Sequence, residues 1–155
     1  MKKIFFNIKN EKYFFLILIV YFSIGSNIFT DYGISWDEVN ERFSGFVSLN
    51  EVYKLFNLEP ITGPTVVLPN GDIIKSEYPT LSNYIYKEYG VLFNISLAFL
   101  ENFFEIKDIK KVFLLRHFVN FLIFFISTIF FYYTLRNFYS KIISIIGFLF
   151  LILSP

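Results

Sequence analysis

No cysteine occurs in the 155 residues, and histidine, methionine and tryptophan occur once each. Without thiols there are no disulfides, no thiolate metal sites and no cysteine nucleophile. A single histidine gives no His-rich metal spacing. Charge of one sign is also scarce: 14 Lys and Arg against 13 Asp and Glu leave a net charge of +1, which argues against nucleic acid as a partner. No glycine-rich phosphate loop and no Ser/His/Asp set stands out. What the chain does have is apolar sequence, 55% hydrophobic and 23% aromatic, with a mean hydropathy of +0.53. These residues are gathered into runs, the pattern of a protein whose solvent is lipid.

A helix needs about 20 apolar residues to cross a bilayer, with about 17 as the lower limit. Residues 13–29 and 118–135 meet that need without an Asp, Glu, Lys or Arg, and residues 142–155 begin a third run that is too short to cross. Lys2, Lys3, Lys9 and Lys12 precede the first run, and Arg136 and Lys141 lie between the second and third. The positive-inside rule therefore places residues 1–12 and the link 136–141 in the cytoplasm, with the acidic stretch 30–115 outside. The expected fold is an all-α, multi-span transmembrane domain, with helices at 13–29 and 116–135 and a truncated one at 142–155. A cleaved signal peptide is the rival reading of the first run, since Ser23-Ile24-Gly25 is a small-x-small triplet; the run is longer than an ordinary signal core and continues through Ile28-Phe29.

The outer loop has its own punctuation. Val39, Phe43, Phe46 and Val47 recur at helical spacing after Trp36, predicting an amphipathic helix lying on the membrane surface with Trp36 at headgroup level. Residues 62–74 read as a small hairpin around Asn70-Gly71. Residues 91–104 are apolar but interrupted by Asn94, Glu101 and Asn102, which predicts an interfacial or re-entrant helix.

Asp37-Glu38 is the most suggestive pair for chemistry, because it follows the first span by a few residues. A carboxylate held near low dielectric becomes a better base for a hydroxyl. The plainer reading is a capping box, Ser35-x-x-Glu38, with Asp37 favouring the positive end of the helix. Arg116 and His117 stand where the second span would meet the outer surface; an arginine there either contacts a lipid phosphate or extends to the headgroups. Asn94-Ile95-Ser96 matches a glycosylation sequon, a pattern too short to carry weight.

The order of these features resembles the beginning of the GT-C glycosyltransferases, in particular the protein O-mannosyltransferases, the lipid A aminoarabinose transferases and the bacterial family 39 enzymes. The residues that carry the resemblance are Asp31-Tyr32-Gly33-Ile34-Ser35-Trp36-Asp37-Glu38 after the first span, Tyr89-Gly90-Val91-Leu92-Phe93 in the outer loop, Arg116 before the second span, and Leu153-Ser154-Pro155. The resemblance implies an enzyme of the cell envelope that moves a sugar from a polyprenyl-phosphate donor to a lipid, glycan or protein acceptor, usually with inversion. By carry-over Asp37 is the catalytic base, Glu38 the supporting acid of the pair and Arg116 the donor-phosphate residue. Members of the group divide between metal-dependent and metal-independent enzymes. They have about a dozen spans, so a chain ending within the third reads as a fragment, inactive alone. Two alternatives remain: a non-enzymatic membrane subunit whose outer loop binds a partner, and another polyprenyl-linked GT-C enzyme such as an oligosaccharide transferase.

Overall fold

The computed structural model describes residues 11–63, 65–67, 73–75, 77–88 and 91–154. Among these the backbone is helical apart from one two-stranded ribbon and the connecting turns. Lys2, Lys3, Lys9, the Asn70-Gly71 turn, Tyr89-Gly90 and Pro155 lie outside the described residues. The chain divides into two compact units: Met1–Tyr32 with Phe113–Pro155, and Gly33–Val112.

The first unit is built from α1 (Lys12–Ile28), α4 (Ile109–Phe138, from Phe113 onward) and α5 (Lys141–Leu153). Its core is aromatic. The Phe14 ring stacks on Tyr132 with centroids 3.7 Å apart and meets Phe148 edge-on at 5.2 Å, and Leu18 completes the buried cluster. Gly25 and Gly147 stand where a Cβ would run into the Phe121 ring and the Leu135 side chain respectively, so both permit close helix packing. The buried hydroxyls of Thr128 and Ser144 donate to carbonyls of their own helices, Phe125 at 2.7 Å and Ser140 at 3.0 Å. They therefore cost little in an apolar interior. At one end of the bundle the Glu11 carboxylate gathers three partners: Arg136 at 3.2 Å, the Tyr132 hydroxyl at 2.5 Å and Lys141 at 4.0 Å. The outward faces are apolar as well, with Leu16, Ile19, Ile24, Ile123, Phe130, Ile146 and Phe150 exposed. A bundle made for water would present charged residues there.

Among the described residues, α4 is the one helix long and apolar enough to cross a membrane; α1 and α5 are apolar but shorter. At 30 residues, α4 is about 45 Å long. It begins at Ile109, well before the start expected at 116, because the Asp108 carboxylate accepts the Lys110 backbone N–H at 2.9 Å and caps it. Lys110, Lys111 and Arg116 break the apolar pattern without breaking the helix.

The second unit holds α2 (Glu38–Leu55), strands β1 (Thr65–Val67) and β2 (Ile73–Lys75), a single 3₁₀ turn at Leu81–Asn83, and α3 (Leu92–Phe103). The strands pair antiparallel, with Val66 opposite Ile74. Helix α3 lies along α2, where Phe46, Leu49 and Ala98 form the buried cluster and Tyr78 stacks on Phe46 at 5.3 Å. Gly45 permits a close approach of the two helices, since a Cβ there would collide with the Asn94 carbonyl. One expectation changes here. The predicted surface helix buries Phe46 and Val47 together with Ser44, Gly45, Ser48 and Leu49, so those side chains are not available to lipid. Helix α3 buries its more polar face, Asn94, Leu97, Ala98 and Glu101, and leaves Leu92, Phe99 and Phe103 exposed.

Candidate functional site

Helix α2 starts at Glu38, with Asp37 in the N-cap position but in a helical backbone conformation and without a side-chain capping bond. The Ser35-x-x-Glu38 box would require Ser35 at the N-cap, so it does not form as expected. The chain turns into α2 through a backbone bond, with the Glu38 N–H donating to the Ser35 carbonyl at 3.3 Å. The Asp37 carboxylate is thus not consumed in capping.

Asp37 instead lines a cleft of about 310 Å³ with Asn40, Glu41, Ser44, Tyr86, Val91 and Asn94. Positions 37, 40, 41 and 44 recur at three- and four-residue steps, so they share one face of the helix start. The opposite wall comes from the segment leading into α3 and from α3 itself. Ser44 is fixed by two hydrogen bonds, donating to the Asn40 carbonyl at 2.8 Å and meeting the Tyr84 hydroxyl at 2.7 Å. Tyr84 in turn packs edge-on against Tyr86 at 5.7 Å. The cleft therefore has a rigid floor and an aromatic side wall, while Asp37, Asn40 and Glu41 are exposed at its rim.

On another face of α2, Arg42 forms a bidentate pair with Glu101 of α3. Its Nε lies 3.1 Å and 3.0 Å from the two carboxylate oxygens, and its terminal nitrogen also donates to Glu101. The guanidinium sits over the Phe46 ring at 5.4 Å. The hydrogen bond to Glu101 holds the Arg42 pKa above its ordinary value, and burial pushes the Tyr78 phenol up. This pair joins α2 to α3 and so supports the cleft's two walls.

Asp37 is the sequence-predicted residue found in the cleft; its neighbour Glu38 is not among the lining residues. Arg116 belongs to the other unit. It lies about two turns inside α4 and is buried, where the sequence placed it at the exposed head of a span. Asn94 is also buried, which removes it as an accessible glycosylation acceptor. Asn40, Glu41, Ser44, Tyr86 and Asn94 were missed. The polar stripe 37, 40, 41, 44 was readable from helical spacing, but the contributions of Tyr86 and Asn94 depend on how α3 packs.

No protein-family model, no curated protein and no solved structure matches the chain. The candidate site therefore rests on its own geometry. Among the described residues no group of three or more His, Asp or Glu is placed to hold a metal ion, and the cleft's two carboxylates and two amides do not make such a set.

Proposed function

We propose that this chain forms the membrane anchor and catalytic loop of a glycosyltransferase, which moves a sugar from a polyprenyl-phosphate carrier to an acceptor hydroxyl on the outer face of the membrane. The observation that carries the reading is Asp37: an acidic side chain at the exposed rim of a polar cleft, not used in capping, and only a few residues beyond an apolar helix. In this reading α1, α4 and α5 lie in the bilayer with their apolar outer faces toward lipid, and the N-terminus is cytoplasmic. The loop unit is then extracytoplasmic.

The chemistry asks little of the protein. Asp37 accepts the proton of the acceptor hydroxyl as the oxygen attacks the anomeric carbon. The carbon–oxygen bond to the carrier phosphate breaks, and the phosphate leaves with the electron pair. That leaving group is already a stabilised anion, so no second carboxyl group is needed to protonate it, unlike glycoside hydrolysis. Attack opposite the departing phosphate inverts the anomeric centre. Arg116 is assigned to the donor phosphate by the family resemblance alone.

The test uses the complete protein in membranes with a panel of polyprenyl-phosphate sugars. Asp37→Asn should lower transfer by about 10²–10⁴-fold while membrane insertion is retained. Wild-type transfer by that variant would remove Asp37 as the base. No transfer from any donor, together with a stable stoichiometric complex with another membrane protein, would favour a non-enzymatic subunit.

A further inference from the structure

The lining of the Asp37 cleft says which half of the reaction it serves. Its described residues comprise two carboxylates, two carboxamides, a hydroxyl, a phenol ring and Val91, with no lysine or arginine. A phosphate placed between Asp37 and Glu41 would face two like charges, whose repulsion is stronger at a protein surface than in bulk water. The phosphate end of a donor does not belong there.

The same set suits a neutral, hydroxyl-rich ring. Planar amides and carboxylates present paired acceptor and donor atoms that can bridge neighbouring hydroxyls. Tyr86, exposed over 41% of its surface, offers a flat apolar face for the C–H side of a pyranose. It is held by its edge-on contact with Tyr84, whose hydroxyl is bound to Ser44 of α2. A volume of about 310 Å³ lies at the small end of ligand pockets, the scale of one monosaccharide unit.

We infer that the cleft binds a neutral hexose unit of a glycan acceptor, stacked on Tyr86 and hydrogen-bonded by Asn40, Glu41 and Asn94, with one hydroxyl presented to Asp37. The product is then a new sugar–sugar linkage. Occupancy by a neutral saccharide follows from the cleft itself; its role as acceptor rests on the transferase reading above.

Saturation-transfer NMR on the detergent-solubilised chain tests this with methyl glucoside, galactoside and mannoside as probes, and with inorganic phosphate as competitor. At least one hexoside should receive saturation on its ring protons, and phosphate should not displace it. Tyr86→Ala and Asn40→Ala should each weaken binding by about tenfold or more, and Tyr86→Phe should restore it. Displacement by phosphate, absence of binding by all three hexosides, or unaltered binding in Tyr86→Ala would each overturn the inference. The two readings fail separately. Hexoside binding by a complete protein that transfers no sugar removes the enzyme, and transfer that survives Tyr86→Ala unchanged removes the acceptor site.

Discussion

Asp37 and Glu41 lie one helical turn apart and line the same cleft, with the Glu41 N–H donating to the Asp37 carbonyl at 2.9 Å. Glu38, next to Asp37 in sequence, is not among the lining residues. The carboxylate able to meet whatever Asp37 meets is therefore the one four residues on. Asp37→Asn should lower kcat by about 10²–10⁴-fold, the usual range for losing a general base. Glu41→Gln should act mainly through KM for the acceptor, and Glu38→Gln should cost less than about tenfold in kcat/KM. Steady-state transfer kinetics on the three variants measure the order, and a Glu38→Gln loss as large as that of Asp37→Asn would restore the sequence-adjacent pair as the working unit.

The Arg42–Glu101 pair makes a second prediction. The Glu101 side chain is 5% exposed and that of Arg42 28%, so removing the acid leaves a half-buried guanidinium without its partner. Breaking a buried pair from one side costs about 3–5 kcal/mol, and partial exposure of Arg42 brings the expectation for Glu101→Leu to about 2–4 kcal/mol. Hydrogen exchange of the α3 amides in the detergent-solubilised chain should rise accordingly. The double variant Arg42→Met with Glu101→Leu should recover much of the loss, since two apolar side chains leave no stranded charge.

Tyr78 gives the loop unit an alkaline limit. Its phenol is raised from the ordinary value of 10.0, chiefly by burial, with Glu101 adding to the rise and Arg42 opposing it. The folded chain therefore holds this proton more tightly than the unfolded chain. Stability is intact below about pH 10 and falls as pH rises through the folded value. Unfolding measured from about pH 9 to 12 should show that decline, and Tyr78→Phe should flatten it. An identical decline in Tyr78→Phe would move its origin to another group.

How far these features were legible depends on the kind of signal each leaves. The apolar runs that become α1, α4 and α5 announce themselves, because helices with apolar outer faces need no alternation. The true start of α4 was hidden by Lys110, Lys111 and Arg116, while its real marker, the Asp108 cap, is a single residue. Apolar residues dominate the pattern of α3. Yet Asn94 and Glu101 are seven apart and hence on one face, and that face is the buried one. Asp37 stood out by position after the first run. Asn40, Glu41 and Ser44 follow it at helical spacing, but Tyr86 and Asn94 are hidden, because the cleft depends on α3 coming up against Gly45 at the Asn94 carbonyl, a contact between residues 49 positions apart in sequence.

The missing cysteines make the topology directly measurable, since any introduced thiol is the only one present. Leu55→Cys and Phe138→Cys place it at well-exposed positions in the loop unit and at the end of α4. In intact cells a membrane-impermeant maleimide should label the first, and it should label the second only after permeabilisation. The proposed topology puts the outward apolar face of α5 against lipid, so Ile146→Cys should resist labelling in both conditions. The Glu11 cluster sharpens the test. Arg136 and Lys141, two of the charges that orient the chain in the proposed topology, are both engaged by Glu11. Glu11→Gln releases them from that carboxylate, which strengthens the cytoplasmic positive bias, so the labelling pattern should not change. What should change is cohesion of α1 with α4 and α5, because Arg136 and Tyr132 lose a charged acceptor. A loss of about 1–3 kcal/mol is expected for hydrogen bonds to a charged group, read as a lower melting temperature in detergent with the same orientation in the membrane. An inverted labelling pattern in Glu11→Gln would mean that the acid, not the basic link, sets the orientation.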